Sequence, residues 1–248
     1  MIYFILFFLL YFYKKLEMKT IYETDQEFIC DIQSPCFQTL SLEEVELIRA
    51  SKTQVQFRKG DSLTKQGAFA SYVLFVMKGL VKQYVEGDNN RSFNLKIIQP
   101  GEFIGLASVF SKNIFNYSAV AVTECQVFLI EKDAIRGIIK NNGLFGLSII
   151  NRYCEQNTLL FNVLQNLHFK QMNGRLADTL LYIESLKKTF PDIFMLLQRK
   201  DLADFAGISV ESTVKLLKVF EKDQLLVLQE KDILIKDISK LEQISKNG

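Results

Sequence analysis

The chain has 248 residues, enough for two compact domains or one large one, and either could bury a real core. Hydrophobic residues make up 48% and charged residues 23%, which excludes an intrinsically disordered chain. The formal charge of +2 is nearly neutral, so a case for nucleic acid has to rest on a local motif.

The segment Met1 to Tyr13 is almost wholly apolar and is followed by Lys14 and Lys15. It is short of the roughly 20 residues of a membrane-spanning helix. It also lacks the basic start and small-residue cleavage site of a signal peptide. The abrupt change to the polar run after Met18 makes residues 1–17 a doubtful extension, with translation expected to start at Met18. A short membrane anchor is the competing reading.

From residue 53 to 131 short alternating segments are punctuated by glycine. Thr53 to Phe57 alternates and Arg58-Lys59-Gly60-Asp61 turns. Tyr72 to Met77 and Leu80 to Val85 read as strands around Lys78-Gly79. Glu86-Gly87-Asp88-Asn89-Asn90 signals a hairpin, Phe93 to Ile98 returns, Pro100-Gly101 turns, and Cys125 to Ile130 closes the series. Many short strands with regular turns predict a sandwich or barrel.

From Asp133 to His168 the periodicity becomes helical, broken once at Asn141-Asn142-Gly143. Leu147, Ile150, Cys154, Phe161 and Leu164 fall on a 3-4 spacing, with Asn157 and His168 completing the register. Such a seam predicts a parallel helix pair between two chains. Ile149, Tyr153, Leu160, Val163 and Leu167 give a second apolar face, expected to lie on the chain's own barrel. A core helix within a single chain is the alternative. After Asn173-Gly174 a further amphipathic helix is expected over Arg175 to Lys187, with Leu176, Leu180, Leu181 and Ile183 inward.

Leu197 to Lys218 carries the most specific pattern. A short helix presents Leu202, Ala203 and Ala206 on one face, and Gly207 permits a left-handed turn. Ile208 is placed to plug the core, and Ser209 is a natural N-cap for the next helix. Val214, Leu217 and Phe220 are expected to be buried there, with Glu211, Ser212 and Lys215 exposed near its start. In a helix-turn-helix the second helix enters the major groove by its N-terminal residues. Glutamate accepts from cytosine N4, and a basic residue one turn later donates to guanine O6 and N7. Leu225 to Leu228 and Asp232 to Ile235, around Gln229-Glu230-Lys231, read as a β-hairpin wing. Residues 198–223 hold five basic and five acidic side chains, so their charge alone does not argue for DNA.

Over residues 30 to 240 these parts resemble, in order, the Crp/Fnr family of transcription regulators. The resemblance rests on Phe57-Arg58-Lys59-Gly60-Asp61, Lys65-Gln66-Gly67, Val76-Met77-Lys78-Gly79 and Pro100-Gly101-Glu102-Phe103-Ile104-Gly105 in the barrel. It continues through Asn173-Gly174-Arg175-Leu176-Ala177 at the hinge and Ile208-Ser209-Val210-Glu211-Ser212 at the recognition helix. It implies an α+β chain with an N-terminal jelly-roll (double-stranded β-helix) sensor domain, a long dimerisation helix and a C-terminal winged helix-turn-helix. The boundaries expected are 18–140, 141–169 and 170–248. It further implies base reading by Ser209, Val210, Glu211, Ser212 and Lys215, with Gln198 and Lys200 on phosphates. The Val-Glu-Ser order is closer to the fumarate–nitrate branch. Lys215 stands where that branch has arginine, and it lacks the planar fork.

The same resemblance shows departures. Cyclic-nucleotide binders carry a glutamate after a glycine, and an arginine before Ser-Ala, to hold ribose and phosphate. Here Gly105-Leu106-Ala107-Ser108 and Tyr117-Ser118-Ala119 put Leu106 and Tyr117 at those positions, so cyclic AMP is not the expected effector. The four cysteines, Cys30, Cys36, Cys125 and Cys154, form no CxxC pair and do not match the family's cluster-binding set. They are read as buried, inert thiols in a reducing cytoplasm, and His168 as a helix-end residue. No metal, cofactor, catalytic group or membrane partner is expected. The partners expected are double-stranded DNA, a second copy of the chain, RNA polymerase and an unknown small effector. A sensor acting through protein partners, with a degenerate DNA-binding domain, is the alternative.

Overall fold

The computed structural model describes residues 37–89 and 91–248. The doubtful extension, Met18, Cys30, Cys36 and Asn90 lie outside the described residues. Two four-stranded antiparallel sheets face each other. The first has the order β1 (Lys52–Phe57), β8 (Cys125–Glu131), β3 (Tyr72–Lys78), β6 (Phe103–Ile104). The second has the order β2 (Ser62–Thr64), β7 (Ser118–Ala121), β4 (Val81–Glu86), β5 (Ser92–Ile98).

Leu74 and Val76 point between the sheets with Val55, Val81, Ile98 and Val127. Their neighbours Val73 and Phe75 point the other way, into a cluster with Phe37, Ile48 and Phe128. Strand β3 is thus buried on both faces, so its sequence is a continuous apolar run where a half-buried strand would alternate. Phe75 sits edge-on to Phe37 at 4.8 Å and tilted to Phe103 at 4.9 Å. The second cluster also takes in α2 (Lys132–Asn141) and the start of α3 (Gly143–Phe169), through Ile135, Ile138, Phe145 and Ile149. Helix α1 (Leu42–Ala50) adds Ile48.

The helical break expected at Asn141-Asn142-Gly143 is present, and Asn142 explains it. Its Oδ1 accepts from the Phe145 N–H at 3.0 Å, capping α3. Its Nδ2 donates to Thr39 O at 2.9 Å and Glu44 Oε2 at 2.8 Å, which ties the cap to α1. Strands β2, β6 and β7, of two to four residues, are not among the strands expected from the sequence.

The two faces of α3 are nearly opposite. Phe145, Ile149, Arg152, Gln156, Leu159, Val163 and Asn166 are buried or half-buried. Leu147, Ile150, Cys154, Asn157, Phe161 and Leu164 are all exposed. The expected inner face needs correction. Ile149 and Val163 belong to it, Leu167 reaches the joint beside Phe93 and Gly207 while partly exposed, and Tyr153 and Leu160 lie on the flanks, more than a third exposed.

The C-terminal unit comprises α4 (Met172–Leu186), α5 (Ile193–Leu196), α6 (Arg199–Ala206), α7 (Val210–Lys222), the hairpin β9 (Leu226–Gln229) and β10 (Asp232–Ile235), and α8 (Ile238–Asn247). Leu176, Leu180, Ile183, Leu202, Leu217, Phe220, Ile233 and Leu241 share its core, and Leu181 packs at the edge. The expected buried face of α7 shifts by one residue. Thr213 is fully buried and Val214 half-buried, because the Thr213 hydroxyl donates to Ser209 O at 3.0 Å and so enters the core satisfied.

This unit docks on its own barrel. Asp201 of α6 pairs with Lys82 of β4, and its backbone O accepts from Asn94 Nδ2 at 3.0 Å. Ser92 Oγ donates to Asp204 Oδ2 at 2.8 Å, and the Ile97 N–H donates to Tyr182 Oη at 2.8 Å. Gly207, at φ 61°, turns α6 into α7 against this joint. A Cβ there would lie 2.9 Å from Leu167 Cδ2 and 3.2 Å from a ring carbon of Phe93. Gly207→Ala is expected to cost about 1–3 kcal/mol in urea unfolding followed by circular dichroism, from positive φ and the close approach together. A loss below about 0.5 kcal/mol would show that the joint relaxes freely.

Candidate nucleic-acid interface

Helix α7 is set at its start by Ser209, whose Oγ accepts from the Ser212 N–H at 3.1 Å. Gly207 ends α6 by donating its N–H to Ala203 O, and the Ile208 N–H reaches the same carbonyl at 3.1 Å. Ile208 packs, half-buried, against the core as expected. These bonds leave Val210, Glu211 and Lys215 exposed at the first turns of α7, with Ser212 half-exposed beside them. The Glu211 carboxyl is held below the usual carboxylate range by its own backbone N–H, then by Ser209 and by Lys215. It is therefore ionised at neutral pH, as an acceptor facing a cytosine amine must be.

Lys218 and Lys222 are exposed as well, and with Glu211 and Lys215 they follow one line along α7. These two lysines were not singled out from the sequence, although their helical spacing was there to read. The even charge count of residues 198–223 does not survive in space. Asp201 is taken by Lys82, Asp204 by Ser92 and Lys200, and Glu221 Oε1 accepts from the Leu228 N–H at 2.9 Å. Asp223 sits at the far end, as the C-cap of α7. The open face of α7 carries one carboxylate and three lysines.

The wing is present as a two-residue hairpin, with Gln229 paired to Asp232 and Glu230 in a left-handed conformation at φ 41°. The Glu221–Leu228 bond fixes it to α7. Gln198 is exposed at the start of α6, where its N–H donates to Asp201 Oδ2 at 2.7 Å. Lys200 is exposed but engaged, its Nζ lying 2.6 Å from Asp204 Oδ2 and 3.4 Å from Ser92 Oγ. Sequence reasoning missed this link to β5, which joins residues 108 positions apart.

The effector-cassette positions are filled from within. Leu106 belongs to the buried cluster that contains Phe75, Phe145 and Ile149. Tyr117 is buried between the sheets, and its Oη accepts from the Gly105 N–H at 2.9 Å. Burial pushes that phenol up to about 12. Gly105 is left-handed at φ 76°, and a Cβ there would meet the Phe115 ring at 2.5 Å. Ser118 donates to Glu86 and accepts from the Gln66 N–H at 2.9 Å, while Ala107 is half-exposed.

Cys125 is fully buried and its Sγ lies 3.4 Å from Leu80 O; burial raises its pKa. Cys154 is exposed on the outer face of α3, so the expectation of a buried thiol is not met there. His168 is exposed near the helix end, edge-on to Phe169 at 4.6 Å. Among the described residues no helix is long and apolar enough to cross a membrane.

Residues 54–142 match the family model of the cyclic nucleotide-binding domain, and residues 174–244 match that of the Crp-like helix-turn-helix domain. The chain is 25% identical over 178 residues to the cAMP-activated global transcriptional regulator CRP of Salmonella typhimurium, covering 70% of this chain and 85% of that protein. It is 23% identical over 214 residues to a CRP-like cAMP-activated regulator of Mycobacterium tuberculosis, covering 83% and 93%. In fold it is similar to a Crp/Fnr-family regulator from Eubacterium rectale, with a TM-score of 0.71 and 18% identity over 86% of this chain and 98% of that one. It is also similar to the c-di-GMP responsive regulator CLP of Xanthomonas campestris, with a TM-score of 0.69 and 19% identity over 79% and 99%. With a jelly-roll domain, a long helix and a winged helix-turn-helix in this order, the chain belongs to the Crp/Fnr family of transcription regulators, whose C-terminal domain binds DNA.

Proposed function

We propose that the chain acts as a homodimer that reads a palindromic DNA site, with Val210, Glu211, Ser212 and Lys215 at base edges and Ser209 setting their helix. Gln198 and Lys200 lie on phosphates. Residues 18–140 form the sensor domain, 141–169 the dimerisation helix and 170–248 the DNA-binding domain. The protein works in the cytoplasm with RNA polymerase as its protein partner, under a small effector other than cyclic AMP. Leu106 and Tyr117 support that exclusion, since neither offers the acid or the cation that a cyclic nucleotide needs.

The observation that carries the DNA-reading role is the open face of α7, where the ionised Glu211 is followed by Lys215, Lys218 and Lys222. The outer face of α3 supports the dimer. Leu147, Phe161 and Leu164 are 57%, 63% and 62% exposed, and a helix apolar on a side away from its own core buries it against a partner. Reading a palindrome requires a shift of the helix pair that sets the two recognition helices about 34–36 Å apart, one turn of DNA. In the docked arrangement Lys200 pairs with Asp204 of its own helix and also reaches Ser92 of β5, and moving α6 off β5 would release the second contact.

Selection from random duplexes at low salt is expected to return a two-fold symmetric motif; failure to recover one would overturn the DNA-reading role. In fluorescence anisotropy, Glu211→Ala is expected to erase about 1–3 kcal/mol of preference at one symmetric pair of positions. Lys200→Ala is expected to weaken all sequences alike and to lower the salt slope by about 1.

Mild oxidation is expected to double the mass of the wild-type chain on a non-reducing gel through Cys154, which the parallel seam brings against its own copy. Cys154→Ser should stay monomeric on the same gel. A wild-type chain that stays single under these conditions would contradict the proposed register.

A further inference from the structure

Strand β5, the C-terminal half of α3, α4 and α6 line an open-sided cavity of about 300 Å³. It shares no lining residue with the barrel interior or with α7. Phe93, Leu159, Val163, Leu167 and Phe205 give it an apolar wall. This size is the low end of what small-molecule sites occupy, and such sites combine apolar walls with a few convergent polar groups.

Three polar groups line it with hydrogen-bonding capacity unused. Asn94 is 1% exposed; its Nδ2 is spent on Asp201 O, and its Oδ1 has no partner. An amide oxygen buried in this way is a marked exception to the rule that interior polar groups are paired. Arg175 Nε is also buried without a partner. The carboxylate one turn further along α4, Asp178, does not serve it, because Asp178 is held by Lys170 at 2.5 Å and by Ser245. Tyr182 accepts from the Ile97 N–H, which leaves its own proton to give. Burial pushes this phenol up to about 12, so it remains a donor.

We propose that this cavity binds a small carboxylate with an apolar body, its carboxylate received by Arg175 and Tyr182, its body by Phe93, Val163 and Phe205, and a donor group by Asn94. Walls from the barrel, from α3 and from the DNA-binding unit meet only while α6 is docked on β5. A ligand there stabilises docking, keeps Lys200 within reach of Ser92, and so opposes DNA binding. This regulatory half rests on the DNA-reading role proposed above; ligand binding itself does not.

The probe is 4-phenylbutyrate, with 4-phenylbutan-1-ol as its uncharged counterpart, titrated without DNA into protein labelled at Leu, Ile and Val methyls. Saturable shifts are expected at Leu95, Leu159, Val163 and Leu167, with the alcohol about tenfold weaker. Arg175→Leu is expected to remove that tenfold preference, and Val163→Phe to abolish both. No saturable shift up to the solubility limit would overturn the site. So would equal affinity for acid and alcohol, or shifts confined to Leu147, Ile150 and Leu164 on the outer face. The wild-type comparison decides this even if a variant fails to fold. Saturating 4-phenylbutyrate should then weaken DNA binding in anisotropy; an unchanged affinity would overturn the coupling and leave the binding result intact.

Discussion

Helix α3 has to satisfy two opposite apolar demands, and most of the molecule is arranged around that requirement. At 27 residues it is about 40 Å long, far more than one barrel face covers. Phe145 and Ile149 anchor its start in the barrel's outer cluster, and the inner line from Arg152 to Asn166 continues along the joint with β5 and α4. The line of Leu147, Ile150, Phe161 and Leu164 finds no cover among the described residues. Both lines step by three and four, so the helix is built as two back-to-back seams. A second chain on the outer seam would leave the inner one free to report on the docked domain.

Charge in the DNA-binding unit follows the same economy of faces. The acidic residues of α6 are spent on the barrel, Asp201 on Lys82 and Asp204 on Ser92, and the carboxylate of Glu221 orders the wing. What remains outward on the open face of α7 is a cationic line with a single ionised glutamate. Lys200 belongs to both arrangements, since the group that would meet a phosphate now bridges Asp204 and Ser92. If Lys200 meets phosphate as proposed, docking and DNA contact would share one ammonium group through Ser92, which would link the position of the domain to affinity.

Much of this was legible in the residues wherever the determinant was local. The continuous apolar run of β3, the break at Asn142, the left-handed Gly207 and the Ser209 cap are each set by neighbours a few positions away. The turn chemistry of Glu86 to Asn89 likewise pairs β4 with β5, with Asn89 at φ 57°. Strands β6 and β2 are too short to show a period, and they exist because β3 and β7 offer them partners. Thr213 displaced Val214 from the core because a hydroxyl bond that sequence patterning does not count made the threonine apolar in effect. The Lys82–Asp201 pair and the Asn94 amide join segments more than a hundred residues apart, and no spacing rule reaches that far.

The filled cassette changes where a signal could enter. Leu106 has exchanged a ligand-facing position for packing against the cluster that roots α3. Tyr117 closes the same turn by taking the Gly105 N–H, and the Phe115 ring leaves no room for a side chain at that glycine. Close-packed, satisfied groups of this kind resist small displacements. Buried polar atoms without partners do the opposite, because any group that completes their bonds gains stabilisation that the empty state lacks. In the barrel turn the Gly105–Tyr117 bond is closed and Ser108 Oγ is open, whereas at the joint two open groups, Asn94 Oδ1 and Arg175 Nε, line one cavity. The joint, where three structural units meet, is therefore the more responsive part of the molecule, and the barrel serves as the frame that holds β5 and the root of α3 in place for it.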